Sequence, residues 1–231
     1  MKVVAFLGFL LGVGARDKHR EQIRVHEIPP NSDATFHRNL QTSWQQALAD
    51  ELLVDSPGGS SRSLASATEW QQADERFGNY SDQRNQQRLV LATFYFATGG
   101  ILWTNNTGWL SYAIDECEWY SRSPLDQVCN DDGFYLHLNL DNNNLDGTLP
   151  TEMFLLSNLT LLNLSNNSLS NTIPSSLQNL TSLTYINLAY NALNGSIPAT
   201  LLTQLTALEQ LGLDSNLLTG TIPSGISNLQ R

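Results

Sequence analysis

Residues 135–150 read YLHLNLDNNNLDGTLP, and the same phrase returns as LTLLNLSNNSLSNTIP (159–174), LTYINLAYNALNGSIP (183–198) and LEQLGLDSNLLTGTIP (208–223). The closing prolines, Pro150, Pro174, Pro198 and Pro223, stand 24, 24 and 25 residues apart, which is the signature of a stacked repeat. In the second copy the apolar positions are Leu159, Leu162, Leu164, Leu169 and Ile173. The central Leu-x-Leu pair alternates with period two and predicts a short strand with both leucines on one face. Three residues later comes Asn143, Asn167, Asn191 or Asn216. A column of inward asparagines is expected to hydrogen-bond turn backbone that no strand ladder satisfies. Next comes Gly147, Gly195 or Gly220, with Asn171 in the second copy; glycine suits a left-handed backbone, and Asn is the next most tolerant residue.

Past each proline a second apolar pair recurs, Met153 and Leu156, Leu177 and Leu180, Leu201 and Leu205, Ile226 and Leu229. That spacing predicts a helical or 3₁₀ turn on the outer side, with the extra residue of the third copy falling between Leu201 and Leu205. One coil cannot bury its own apolar face, but a stack can. A curved, right-handed α/β solenoid with short parallel strands on its concave side is therefore expected.

The pattern LxxLxLxxNxLxGxIP resembles the plant-type extracellular leucine-rich repeats, with mild departures at Tyr135, Leu149 and Asn171. The resemblance implies a leucine-rich-repeat solenoid that acts as a secreted or membrane-tethered recognition module and not as an enzyme. Members of the family serve in receptor ectodomains, in defence and in inhibition of wall-degrading enzymes.

With 22 acidic against 12 basic residues the chain carries a net charge of −10. No Lys or Arg stands between Arg122 and Arg231, so nucleic acid and anionic membrane are not the expected partners. Residues 1–15, MKVVAFLGFLLGVGA, place Lys2 before an apolar run and end in small residues. They read as a secretory signal peptide cleaved after Ala15, an uncleaved signal anchor being the alternative. The two cysteines, Cys117 and Cys129, suit one local disulfide in an oxidising compartment. Sequons at Asn79, Asn105, Asn158, Asn163, Asn166, Asn179 and Asn194 permit glycosylation, although a repeat rich in Asn, Ser and Thr generates them by composition.

Residues 16–85 are polar, mixed in charge and broken by Pro29-Pro30 and SPGGSS (56–61), so a mostly disordered linker is expected, with a short amphipathic helix over residues 43–53. Ser81 or Asp82 then caps a helix through LVLATFYFA (89–97), stopped by Gly99-Gly100. The helix is too short to span a membrane and is expected to cover the first coil. Trp103, Trp109, Trp119 and Tyr120 follow, as cap core or, alternatively, a sugar-binding platform. Helix, tryptophans and Cys117-Glu118-Trp119 with Cys129 resemble the N-terminal cap of the same family, in a form similar to its algal (diatom-like) members. Ser121 stands where the family's plant pattern has Gly, and the gap to Cys129 is longer. The resulting division is a signal peptide at 1–15, linker at 16–85, cap at 86–133 and four repeats at 134–231. The last coil carries no capping sequence, so the chain is expected either to continue in a longer protein or to pair through that edge.

Catalytic chemistry is not legible. The four histidines, His19, His26, His37 and His137, make no metal-ligand spacing with cysteine or acid, and no phosphate loop or nucleophile elbow occurs. The run from Asp141 to Glu152 imitates a calcium loop, but Leu145 takes a ligand position and Gly147 comes one residue late. Asp115, Glu116, Glu118, Asp126, Asp131 and Asp132 read as solvated charge. No cofactor and no metal are expected.

The concave face offers His137, Asn139, Leu161, Tyr185, Tyr190, Gln210 and Asp214 as candidate ligand contacts, since exposed aromatics on a polar surface serve as binding anchors. Four strands at ~4.8 Å and about five residues of ~3.3 Å give a face of roughly 300 Å², well under the about 800 Å² per partner of a standard interface. A secreted or cell-surface module that binds a peptide, a glycan or a limited protein surface is the leading expectation. The alternative is a structural wall or adhesion protein that binds polysaccharide or ice.

Overall fold

Each coil makes two short strands, and the first three coils each add an outer turn. The computed structural model describes residues 59–122, 128–223, 225 and 226; the expected signal peptide and the helix over 43–53 lie outside them. The first strands are β1 (His137–Asn139), β3 (Leu161–Asn163), β5 (Tyr185–Asn187) and β7 (Gln210–Gly212), the second β2 (Asp146–Thr148), β4 (Ser168–Thr172), β6 (Ala192–Ser196) and β8 (Leu217–Thr219). They form two parallel four-stranded sheets, β1-β3-β5-β7 and β2-β4-β6-β8. In the first sheet the middle residues Leu138, Leu162 and Ile186 are fully buried, as are Leu140, Leu164 and Leu188, which is the predicted Leu-x-Leu face.

After Pro150 and Pro174 the outer turns are 3₁₀ helices, Thr151–Leu155 and Ser175–Asn179. In these turns the amides of Leu156 and Leu180 bond back three residues, to Met153 and Leu177. The third turn, Leu201–Gln204, is α-helical and bonds Leu205 to Leu201, so the one extra residue converts a three-residue bond into a four-residue bond. Asn171 takes φ +69°, as Gly195 (+72°) and Gly220 (+84°) do at the same place in their coils.

The asparagine column is the polar spine of the stack. Asn167 Oδ1 accepts the amides of Asn143 (3.0 Å) and Leu145 (2.9 Å), and its Nδ2 donates to the carbonyls of Leu140, Leu164 and Ser165 at 2.9–3.0 Å. Asn191 bonds Leu169, Leu164, Leu188 and Ala189 in the same way, and Asn216 bonds Leu193, Leu188, Leu213 and Asp214. Asn143 carries the column into the cap, accepting from the Asn105 amide (2.7 Å) and donating to its carbonyl (2.9 Å).

The cap reaches further back than the sequence suggested. Within the stretch expected to be linker, residues 59–85 are ordered, opening with helix α1 (Gly59–Gln72). Its few apolar residues suffice because Ala67 and Trp70 are buried and an ion pair supplies the rest. Helix α2 (Asp82–Ala97) starts at Ser81, whose hydroxyl accepts the Arg84 amide. Arg88 of α2 is 1% exposed and binds Glu116 (2.8 Å) and Asp74 (3.2 Å), with the rings of Trp70, Trp119 and Tyr80 within 5.0–5.4 Å of its guanidinium.

Glu116, expected as solvated charge, is instead fully buried, because Arg88, Arg84 Nε (3.0 Å) and Gln87 Nε2 (3.2 Å) surround its carboxylate. Gln87 also accepts the Tyr135 amide at 2.8 Å, which ties α2 to the first coil. Trp103, Trp109 and Trp119 are buried and pack, mostly edge-on or tilted, against one another and against Phe94 and Tyr95. These rings are core and offer no platform to a sugar. The Cys117–Cys129 disulfide is formed. At the junction, Gly147 (φ +130°) lies so close to the end of α2 that a Cβ there would stand 2.1 Å from the Ala97 carbonyl oxygen. No helix of the described residues is long and apolar enough to cross a membrane.

Asn167→Ala leaves three backbone groups, the amides of Asn143 and Leu145 and the carbonyl of Leu140, without partners and is expected to lower stability by at least about 3 kcal/mol, at 1 or more per buried group. Asn216→Ala, in the half-exposed last coil, costs less than half as much; urea unfolding of both variants checks the ratio. Glu116→Ala leaves the buried Arg88 with Asp74 as its one remaining carboxylate partner and is expected to cost about 3 kcal/mol, read by the same unfolding curves. Burial opposes ionisation of Asp115, but the Cys117 amide and the Arg84 guanidinium outweigh it and hold its carboxyl below the ordinary value of 3.8. Its contribution is therefore complete above that value and lost as pH falls below it, which acid titration of the Asp115→Asn variant against the parent will show.

Candidate ligand-binding site on the concave sheet

The two ends of the first sheet are finished differently. Beside β1, the Arg122 amide donates to the Asn139 carbonyl (2.8 Å), while Ser121 Oγ donates to the His137 carbonyl (3.0 Å) and accepts the Asn139 amide (2.9 Å). Asn139 Nδ2 is held by the Arg122 carbonyl, and Asp141 is paired with the Arg122 guanidinium at 3.0 Å. The cap thus occupies the polar groups at that end. At the other end, among the described residues, no strand pairs with the outer edges of β7 and β8. There Leu211, Leu213 and Leu218 are half-buried and Leu217 and Ile222 exposed.

Between β3 and β7 the concave surface holds an open hollow of about 310 Å³, lined by Ser165, Asn166, Tyr185, Asn187, Ala189, Tyr190, Gln210, Gly212 and Asp214, with Ile186 and Leu211 contributing. Two departures from the repeat line it. The register places His137, Leu161, Tyr185 and Gln210 in one row and Asn139, Asn163, Asn187 and Gly212 in the next. Glycine replaces asparagine at the last place of the second row, and a Cβ there would stand 2.5 Å from Asn187 Oδ1. The Asn187 carboxamide takes up the space that a side chain at 212 would need.

The second departure is Tyr190. At the turn after each first strand, Asn142 (φ +50°), Asn166 (+55°), Tyr190 (+55°) and Ser215 (+54°) share a left-handed backbone. Asn tolerates that conformation, but a ring-bearing residue there is an outlier. Tyr190 nevertheless stands 57% exposed, and its amide donates to the Asp214 carbonyl at 3.0 Å, which sets ring and carboxylate on adjacent turns. Tyr185 is steadied by Asn187 Nδ2, which donates to its hydroxyl at 3.3 Å. Strain kept at an exposed aromatic points to a use for the ring.

Of the candidate contacts read from the sequence, Tyr185, Tyr190, Gln210 and Asp214 come together at the hollow. His137, Asn139 and Leu161 lie toward the cap and do not line it. Ser165, Asn166, Asn187, Ala189 and Gly212 also line it and were not among those candidates, although the break in the asparagine row at Gly212 was an available signal. Among the sequons, Asn79, Asn158, Asn166, Asn179 and Asn194 are exposed, whereas Asn105 and Asn163 are half-buried and Asn163 Oδ1 is engaged by Ser165.

The leucine-rich-repeat family matches residues 136–193 and, overlapping them, 157–218, so the coils are leucine-rich repeats. Among solved structures, the PEPR1–AtPEP1 complex is similar at 29% identity and a TM-score of 0.53, over 63% of this chain and 20% of that one. The ectodomain of the Arabidopsis receptor kinase HAESA, in complex with an N-terminally extended IDA peptide hormone, has the same fold at 24% identity and a TM-score of 0.53, over 65% of this chain and 24% of that one. The chain thus spans a quarter or less of each. No curated protein matches at a significant level.

Tyr190→Asn restores the residue found at two of the other three equivalent turns and is expected to raise stability by about 1 kcal/mol through relief of the left-handed strain. Thermal and urea unfolding of the variant against the parent check it.

Proposed function

We propose that this protein is an extracellular, non-catalytic recognition module that binds a short extended peptide, or a peptide segment of a protein, across the hollow between β3 and β7. The observation that carries the reading is Tyr190, a strained and exposed aromatic that lines the concave hollow beside a second tyrosine. An evolved binding residue commonly costs stability that a purely structural turn would not give up. The likeness to ectodomains, one of them holding a peptide hormone, agrees with a peptide ligand. The small area agrees too, since it suits a segment better than a broad protein face. An oxidising, extracellular location is supported by the cap disulfide and by the signal-like start of the sequence.

A polysaccharide-binding role is the second reading. It draws on the other sheet, where Ser168, Thr172, Asn194, Ser196 and Thr219 are exposed.

Selection of a displayed random peptide library on the full chain is expected to yield binders whose affinity falls at least about 30-fold with Tyr190→Ala or Tyr185→Ala, the loss typical of aromatic hot spots. Leu155→Ala, at an exposed position of an outer turn, leaves affinity unchanged. Peptides that bind both tyrosine variants as well as the parent would sink the reading. Retention of the chain on insoluble glycans with no peptide selected would favour the second.

A further inference from the structure

The charges around the hollow are incomplete. Among the described residues, no Lys or Arg lies on any of the four coils, so their acids are balanced only where the cap reaches them. On the concave face that happens once, at Asp141, whose partner is Arg122. Asp214 occupies the same place in the last coil, three strands away, or about 14 Å at the usual strand spacing. That exceeds the ~8 Å screening length of physiological salt, so Arg122 does not neutralise it. Asp214 is exposed, its carboxylate accepting only a hydroxyl bond from Ser215 (3.3 Å). Glu209, also exposed, adds a second acid just before β7.

The Asp214 carboxylate lines a hollow whose other walls include two tyrosine rings and the Gln210 side chain. Aromatic faces attract cations through their quadrupole, and a carboxylate beside them adds charge pairing and a charge-assisted hydrogen bond. Anionic sugars and acidic peptides are disfavoured by the same unbalanced charge, which also draws basic ligands toward a chain of net charge −10.

We propose that the hollow receives the cationic side chain of a basic peptide, an arginine or lysine seated against the Tyr190 ring and paired with Asp214. This rests on the reading of the concave face as the ligand surface and adds the chemical class of the residue it selects.

The test is a positional-scanning library of N-acetylated, C-amidated hexapeptides, screened against the full chain and against Asp214→Asn and Asp214→Lys. For the parent, Arg or Lys dominates one position, and replacing that residue by norleucine weakens binding at least tenfold. Asp214→Asn removes the preference and flattens the salt dependence, while selection at the other positions persists. Asp214→Lys reverses it toward Glu or Asp, a result that a merely structural role for Asp214 would not give. A selected consensus without a basic residue, or one indifferent to Asp214, overturns this proposal and leaves the peptide-binding reading standing. Failure of every peptide to bind, or binding by cello-oligosaccharides alone, overturns both.

Discussion

The asparagine column is the constraint on which the rest depends. A coil that turns its backbone through a dry interior leaves amides and carbonyls that neither sheet can pair, and each such group costs about as much as a lost hydrogen bond. One carboxamide per coil, offering an acceptor and two donors, meets that need between neighbours. Asn167 alone makes five bonds, three to the preceding coil and two within its own. Because each asparagine serves the coil before it, the column is satisfied only when coils are stacked, and the leucine faces need the same stacking for their burial. Polar and apolar requirements therefore select one architecture.

The cap applies the same logic at the first coil. It supplies backbone at residues 104–105 to complete Asn143, runs Ser121 and Arg122 beside β1, and lays α2 on Gly147. Its own cohesion comes from an unusual core, an arginine buried among aromatic rings with two carboxylates. A buried ion pair contributes little net stability against a well-packed apolar alternative, but breaking it is costly. Its role here is to fix how α1, α2 and the segment around Glu116 meet. The disulfide closes a loop in the same region, worth about 3 kcal/mol in the loop-entropy model.

The concave sheet is where the repeat departs from itself. Regular coils would carry asparagine along the middle row and asparagine at the left-handed turn. Glycine at 212 and tyrosine at 190 break both rules in neighbouring coils, and a carboxylate with no base on its own coils stands beside them. Independent departures that converge on one hollow are the pattern expected of a site, since local rules are broken where function outweighs stability.

The sequence by itself determined the coil. Period, strand face, asparagine spine and the tolerance of Asn171 for a positive φ all follow from spacings within one repeat, because each coil contacts only its neighbours and local pattern is nearly the whole interaction. Helix α2, with its cap at Ser81 or Asp82, was legible from local pattern as well, and the structure places the cap at Ser81. Only the tertiary structure decided the cap's extent and the site's place. Ala67, Trp70 and Asp74 look like linker until Arg88 and Glu116, 14 and 42 residues beyond Asp74, close around them, and burial of a charge depends on partners that composition does not reveal. The candidate contacts could be enumerated along four strands, but which of them share a hollow was settled by strand register and by the cap's use of Asn139 and Asp141, both consequences of distance in space and not along the chain.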